Sequence, residues 1–184
     1  MRVITGRYKG HRLFAPTGNK IRPTTDRTRE FLFSYLGDSI DNAILLDLFA
    51  GTGSVGIEAL SRNAAKVIFV DNSYRACELI KKNLNKIGHV SPVYVKSENA
   101  FLSQAIKQQL HFDFIFCDPP YNYRHFHDLL ETVRRGDLLT QNGSVIYESG
   151  TKEKAVQHEA FKIIKEKVLG DTKITIYQSD DTEK

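Results

Sequence analysis

The sequence predicts a three-layer α/β fold with a mainly parallel sheet and an antiparallel edge. Short apolar segments alternate with helical segments along the chain, as in sheets whose parallel strands are joined by helices. Two of these segments, residues 43–50 and 112–117, are apolar enough to be strands buried on both faces. Near the C terminus, Gly170-Asp171 separates the last two strand-like segments and indicates a hairpin.

The predicted elements follow in chain order. A small hairpin, residues 3–5 with 11–14, precedes a helix over residues 26–36. That helix has an apolar stripe made of Phe31, Leu32, Tyr35 and Leu36, with Arg27 and Arg29 off the stripe. Strands are predicted at residues 43–50, 66–70, 92–95, 112–117, 144–147, 161–169 and 172–177. Further helices are predicted at residues 57–62, 74–87, from 97 onward and 124–134, before a frayed tail at 179–184.

The first strand is followed by a glycine-rich turn and a helix, an arrangement that binds nucleotide-like ligands. Gly51 and Gly53 can adopt positive φ, and Gly56 permits close packing of the helix on the sheet. Asp71 ends the second strand 20 residues after Gly51 and is placed to bond ribose hydroxyls. This pattern alone is also compatible with NAD as the cofactor.

Asp47, four residues before the first glycine, favours a different cofactor. Its carboxylate lies where it would repel a pyrophosphate, and it suits a cationic group such as the amino group of a methionine moiety. The alternative is a carboxylate that caps its own turn.

A second candidate site, Asp118-Pro119-Pro120-Tyr121, follows the fourth strand. Open α/β sheets bind ligands at strand carboxyl ends, where the strand order reverses. In a 3-2-1-4-5 order, which we assume from the fold class, this loop and the glycine-rich loop would meet at one crevice.

The residue types of this second loop suit methylation of an exocyclic amine. The Asp118 carboxylate and the Pro119 carbonyl can accept the two amine protons, and the prolines stiffen the loop. Tyr121 offers a ring face to a base. Catalysis would then depend on positioning and electrostatics rather than on a strong general base. A rigid turn capped by Asp118 is the alternative.

Positive charge is concentrated at the N terminus. The chain has a net charge of +4, yet residues 1–30 hold eight basic and two acidic residues, a net charge of +6. This asymmetry indicates a polyanion partner, although a solvated basic surface would have the same composition. At the hairpin tip, Arg7, Tyr8 and Lys9 could contact phosphates and a base.

Other features narrow the class of protein. No apolar run approaches the length of a membrane span, and Met1-Arg2-Val3 leads directly into a structured segment without a signal peptide. Cys77 and Cys117 lie in apolar segments, as buried thiols do in a reducing cytosol. The six histidines are scattered, so we expect no metal site. We therefore expect a cytoplasmic protein. We also expect a monomer.

Several motifs resemble a known family. The 47–56 loop and the 118–121 motif look like those of amino-methyltransferases that use S-adenosylmethionine. Together with Arg22-Pro-Thr24, Asp26-Arg-Thr-Arg-Glu30 and Gly56-Ile-Glu-Ala-Leu-Ser-Arg62, they resemble the bacterial RsmD family. Members of that family methylate guanine N2 in small-subunit ribosomal RNA. The resemblance extends from the 3–14 hairpin to Glu148.

The resemblance implies a fold, a cofactor and a substrate. The fold would be the Rossmann-like class I methyltransferase fold with a seven-stranded sheet. Residues 1–36 would be an RNA-binding appendage and residues 37–184 the methyltransferase domain. S-adenosylmethionine would be the cofactor, S-adenosylhomocysteine its product, and no metal would take part. The substrate would be 16S rRNA, at a guanine of the 966 type, in a 30S subunit or assembly intermediate.

The resemblance also implies roles for individual residues. Cofactor contacts would come from Asp47, Ala50, Gly51, Thr52, Gly53, Asp71, Asn72, Asn99, Ala100 and Asp118. The target guanine would be held by Asp118, Pro119, Pro120 and Tyr121. RNA contacts would come from Arg7, Tyr8, Lys9, Arg12, Arg22, Thr24 and Arg27. The chain departs from the family at Asp71, where glutamate is more usual, and at Asn99, where aspartate is common.

Other functions stay open. A DNA or RNA adenine-N6 methyltransferase could use the same Asp-Pro-Pro-Tyr motif, although the DNA enzymes normally carry a target-recognition segment for which this chain has no room. A release-factor glutamine methyltransferase would have Asn in place of Asp118. An NAD oxidoreductase would need an acid–base residue that is not evident. A non-catalytic RNA-binding module would bind through the N-terminal segment and would not need Asp118 or Tyr121.

Overall fold

The computed structural model describes residues 1–15, 24–120 and 123–180. These residues fall into two compact units, Met1–Glu98 and Asn99–Lys184. The functional division that we predict, with an appendage at 1–36 and a catalytic domain at 37–184, stays a prediction.

Seven strands form a mixed sheet in the order β3-β2-β1-β4-β5-β7-β6. The strands are β1 (Ile44–Leu48), β2 (Lys66–Asp71), β3 (Val93–Val95), β4 (Phe112–Cys117), β5 (Leu139–Gly150), β6 (Phe161–Leu169) and β7 (Thr172–Ser179). The β1–β2, β2–β3 and β4–β5 pairs are parallel, whereas β7 is antiparallel to β5 and β6. The predicted fold class is confirmed, and the assumed 3-2-1-4-5 order agrees with the observed one.

Helices connect the strands. They are α1 (Asp26–Leu36), α2 (Ser54–Ser61), α3 (Tyr74–Lys86), α4 (Glu98–Lys107) and α5 (Phe126–Arg135), with a 3-10 turn at Gly37–Ile40. The side chain of Thr25 accepts from the Thr28 N–H at the start of α1, and Ser73 caps α3 in the same way.

β5 is longer than the predicted strand at 144–147. The predicted strand starts after Asn142-Gly143, a dipeptide that favours turns, but the pairing of β5 with β4 already begins at Leu139, opposite Phe112. The extra residues are accommodated by a register shift between Phe112 and Phe114, as at a β-bulge. A turn-forming dipeptide therefore lies inside an irregular strand.

Gly56 lets α2 pack directly on β2, as the sequence predicted. A Cβ atom at this position would lie 2.3 Å from Phe69 Cε1 and 2.7 Å from Val67 Cγ1. Both β2 side chains are fully buried. Any larger residue at position 56 would have to push the helix away from the sheet.

In the second unit, α5 packs on the β5–β7 pair through aromatic rings. The Phe126 ring stacks on Tyr147 with a centroid distance of 3.7 Å and lies 5.3 Å from the Tyr177 ring. Burial raises the pKa of Tyr177 to about 12. These rings fix the helix that follows the 118–121 loop.

The N-terminal hairpin is a single antiparallel bridge, Arg2 with Arg12, that lies against α2. Gly6 has φ +83°, and a Cβ there would lie 1.8 Å from the Ser61 carbonyl oxygen. The Arg7 N–H donates to that same carbonyl at 2.7 Å. The hairpin backbone is therefore in direct contact with the C-terminal end of α2.

The Glu58 carboxylate of α2 binds the backbone of the N-terminal hairpin. Its Oε2 and Oε1 atoms accept the backbone N–H groups of Ile4 and Thr5 at 2.8 and 2.9 Å. Arg29 Nη1 lies 3.6 Å from Glu58 Oε2, and both side chains are fully buried. Arg62 Nε adds a 3.1 Å ion pair to Oε1. One carboxylate thus joins the hairpin, α1 and α2.

The buried position of Arg29 corrects our prediction for α1. The residues that this helix buries are Thr28, Arg29, Leu32, Phe33 and Leu36. Tyr35, which we placed on the apolar stripe, is 40% exposed and stacks on Phe31 at the surface. Helical spacing also fits this rotated face. The buried guanidinium is offset by two carboxylates, Asp26 Oδ1 at 2.6 Å in the same helix and the distant Glu58.

We expect Arg29→Met to lower the free energy of unfolding by about 3–5 kcal/mol, because it leaves the Glu58 carboxylate buried beside one cation fewer. Chemical denaturation of the purified variants measures this loss. Arg135→Met is the control, since it removes an exposed arginine from its ion pair with Glu131 and should cost at most about 1 kcal/mol. Equal losses in the two variants would contradict the role of the buried pair.

Candidate functional site

The glycine-rich loop turns the chain from β1 into α2 through three left-handed residues. Phe49, Gly51 and Gly53 have φ values of 64°, 54° and 73°. The Gly53 N–H donates to the Ala50 carbonyl at 2.7 Å, and the Ala50 N–H donates to the Val70 carbonyl at 3.0 Å. The positive φ values predicted for the two glycines are confirmed, and the loop is anchored to the end of β2.

Asp71 fixes the backbone of this loop. Its Oδ2 atom accepts the Gly51 N–H at 2.8 Å, and its Oδ1 atom accepts the Ser73 N–H at 2.8 Å. A carboxylate oxygen has two lone pairs, so these bonds leave capacity to accept hydroxyl groups. Asp71 can therefore position the loop and also bind a ribose.

Asp47 is buried, with 2% of its surface exposed. Its Oδ2 atom accepts the Gly56 N–H, at 3.0 Å, in the first turn of α2. The capping alternative is thus part of its role, because a negative charge stabilises a helix N terminus. The negative charge of a buried carboxylate also suits a cation, so the predicted second role stays compatible with this position.

Asn83 of α3 joins the glycine-rich loop to the end of the N-terminal segment. Its Oδ1 atom accepts the Phe14 N–H at 2.7 Å. Its Nδ2 group donates to the carbonyls of Phe14 and Thr52, each at 3.2 Å. The Asn83 side chain is fully buried, and its bond to the Thr52 carbonyl is shielded from water.

Sequence reasoning missed Asn83, although a signal was present. The sequence has the apolar residues Ile80 and Leu84 on one side of this helix, and Asn83 shares that side by helical spacing. A polar amide on a buried helix face needs hydrogen-bond partners from elsewhere in the chain.

The structure places the predicted RNA-binding residues in different environments. Arg7, Lys9, Arg12 and Arg27 are exposed, and Thr24 is buried. Tyr8 is only 9% exposed, with its ring edge-on to His11 and His89 and its hydroxyl 3.4 Å from His89 Nδ1. Stacking of Tyr8 on a base would require its ring to leave these contacts. Arg22 lies outside the described residues.

In the second unit, the predicted site residues lie at the end of β4 and the start of α4. Asp118 and Pro119 are half-buried and Pro120 is exposed. Asn99 and Ala100 are exposed in the first turn of α4. Asn72, in the first unit, is exposed just after Asp71. Tyr121 lies outside the described residues, and the roles of all these residues stay predictions.

Two further observations hold for the part of the chain that the structure describes. It contains no cluster of three or more His, Cys, Asp or Glu side chains that could hold a metal ion. None of its helices is both long and apolar enough to cross a membrane.

Comparison with known proteins gives consistent matches along nearly the whole chain. The model of a family described as "Conserved hypothetical protein 95" matches residues 1–178. Ribosomal RNA small subunit methyltransferase D of Haemophilus influenzae is 32% identical over 182 residues, which cover 97% of this chain and 94% of that protein. YlbH of Bacillus subtilis is 39% identical over 150 residues, covering 80% and 82%. The solved structure of yhhF from Escherichia coli is 30% identical, covers 98% of each chain and has a TM-score of 0.86.

We expect Asn83→Leu to loosen both segments that the amide joins, because it leaves the Phe14 N–H and the Thr52 carbonyl without their partner. Hydrogen–deuterium exchange should become faster in peptides covering residues 1–15 and 50–56. Asn85→Leu is the control, since Asn85 lies exposed on the same helix. Unchanged exchange in both peptides of Asn83→Leu would contradict this role.

Proposed function

The chain belongs to the conserved hypothetical protein 95 family, which is the RsmD family, and from that premise we propose that it methylates 16S rRNA. The methyl group would pass from S-adenosylmethionine to the exocyclic N2 of a guanine, of the 966 type. The observation that carries this proposal is the match, over 97% of this chain, to a protein named ribosomal RNA small subunit methyltransferase D. We further propose that the enzyme acts as a cytoplasmic monomer on a 30S subunit or assembly intermediate, and that residues 1–36 bind the RNA.

The first unit supplies chemistry that fits the cofactor. The buried Asp47 carboxylate suits the ammonium group of the methionine moiety, and the spare acceptor capacity of Asp71 suits the ribose hydroxyls. When bound, S-adenosylmethionine supplies the methyl group as part of a sulfonium cation. A buried carboxylate favours such a cation over the pyrophosphate of NAD. We propose further cofactor contacts from Ala50, Gly51, Thr52, Gly53, Asn72, Asn99, Ala100 and Asp118.

The 118–121 loop would hold the target base. The lone pair of an exocyclic amine is delocalised into the base, so the site must orient the nitrogen for it to react. The Asp118 carboxylate and the Pro119 carbonyl would accept the two amine protons, and the two prolines would keep these acceptors in place. Tyr121 would stack on the target base after that base has flipped out of the RNA stack. These residues would act by positioning and electrostatic stabilisation, which account for much of the rate enhancement in such transfers.

Calorimetry tests the cofactor. We expect S-adenosylmethionine and S-adenosylhomocysteine to bind in the micromolar range and NADH not to bind. Asp71→Asn should weaken cofactor binding about tenfold, because it replaces a charged acceptor of the ribose hydroxyls. Asp41→Asn, a change at an exposed carboxylate, is the matched control. Binding of NADH in place of S-adenosylmethionine would exclude a methyltransferase.

Substitutions of Asp118 test the chemistry of the second loop. Asp118→Ala removes an acceptor and should all but abolish transfer, whereas Asp118→Asn keeps an amide oxygen that can accept and should retain some activity. Tyr121→Ala should reduce turnover more than cofactor binding. The measurement is nucleoside mass spectrometry of rRNA from cells that lack the gene and carry each variant.

Asp128→Ala, at an exposed aspartate of α5, is the control for these variants and should restore full methylation. Full N2-methylguanine with Asp118→Ala would show that the loop does not carry the reaction. N6-methyladenine as the sole product would leave the loop chemistry in place and make the guanine assignment wrong.

A further inference from the structure

Two segments of the first unit carry positive charge without any acid. Residues 1–15 contain Arg2, Arg7, Lys9 and Arg12, and residues 79–97 contain Lys81, Lys82, Lys86 and Lys96. Neither segment contains Asp or Glu. By composition, the excess charge is confined to the N-terminal segment, because the lysines of the second segment are balanced by acids elsewhere in the chain.

The fold brings these two segments together. Lys86 Nζ lies 4.5 Å from the centroid of the Phe14 ring, which is a cation–π contact. Asn83 binds both backbone polar groups of Phe14, and the Tyr8 hydroxyl lies 3.4 Å from His89 Nδ1. The basic hairpin and the C-terminal half of α3 therefore lie side by side.

The charges on this joint face are available to a partner. Lys82 and Lys86 are exposed, and within residues 1–15, 24–120 and 123–180 the structure gives neither a salt bridge. Lys81 differs, because Glu78 pairs with it at 2.9 Å. Burial and then the nearby Arg7 guanidinium lower the pKa of His89, so this ring is neutral at pH 7 and adds no charge.

We propose that Arg7, Lys9, Phe14, Lys82 and Lys86 form one RNA-binding surface, the arm–α3 face. The proposal rests on the proposed function and extends its RNA contacts from the N-terminal segment onto α3. Lysines and arginines would contact phosphates, and the Phe14 ring, 49% exposed, would contact a base. Closely spaced cations around an exposed aromatic ring are the combination that binds a flexible RNA strand.

The test measures the affinity of the full chain for transcribed 16S rRNA over a series of salt concentrations. The Lys82→Ala/Lys86→Ala variant should reduce the slope of log affinity against log salt by about 1.4, because two phosphate contacts are lost. Arg7→Ala/Lys9→Ala should give a reduction of the same size. Phe14→Leu should weaken binding about fivefold or more without changing the slope, since stacking releases no counterions.

The control is Lys152→Ala/Lys154→Ala, which removes the same charge from exposed positions in the second unit and should leave the slope unchanged. Cofactor affinity should be the same in all these variants. If the wild-type protein methylates rRNA but Lys82→Ala/Lys86→Ala keeps the wild-type slope, the arm–α3 face is wrong and the proposed function stands. If the wild-type protein neither binds nor methylates rRNA, the proposed function fails. Tighter binding of duplex DNA than of rRNA would also overturn the assignment of this face to RNA.

Discussion

The fold of the first unit depends on one buried carboxylate. Glu58 accepts two backbone N–H groups of the N-terminal hairpin and lies against the buried guanidinium of Arg29. Removing a charge from water is costly, so such a group is tolerated only when partners surround it. Here the partners come from the hairpin, from α1 and from Arg62, the residue that follows α2. The basic hairpin is therefore a fixed part of the unit that also carries the glycine-rich loop.

The same unit connects that loop to its surroundings through two polar side chains. Asp71 binds the Gly51 N–H from the end of β2, and Asn83 binds the Thr52 carbonyl from α3. Asn83 also binds Phe14, which places the end of the N-terminal segment one side chain away from the loop. One amide side chain therefore fixes the position of both segments.

Much of the fold could be predicted because it follows from local pattern. Alternating apolar and helical segments gave the strand and helix order, and the glycine spacing gave the left-handed turn at Gly51 and Gly53. Predictions were wrong or incomplete where residues distant in the chain determine whether a side chain is buried and which groups it binds. Arg29 is buried against the distant Glu58 as well as against Asp26 of its own helix, and Asn83 has partners 69 and 31 residues away in the chain. From composition, we assigned the excess positive charge to the N-terminal segment alone. The fold places the lysines of α3 beside the hairpin of that segment.

We propose that this chain methylates guanine in small-subunit rRNA. Transfer of tritium from labelled S-adenosylmethionine, measured in parallel on 16S rRNA, 30S particles and DNA, tests it most directly. We expect label in 16S rRNA, free or in 30S particles, recovered as N2-methylguanine, and none in DNA. Label found only in DNA, or no transfer to any of the three, would contradict it.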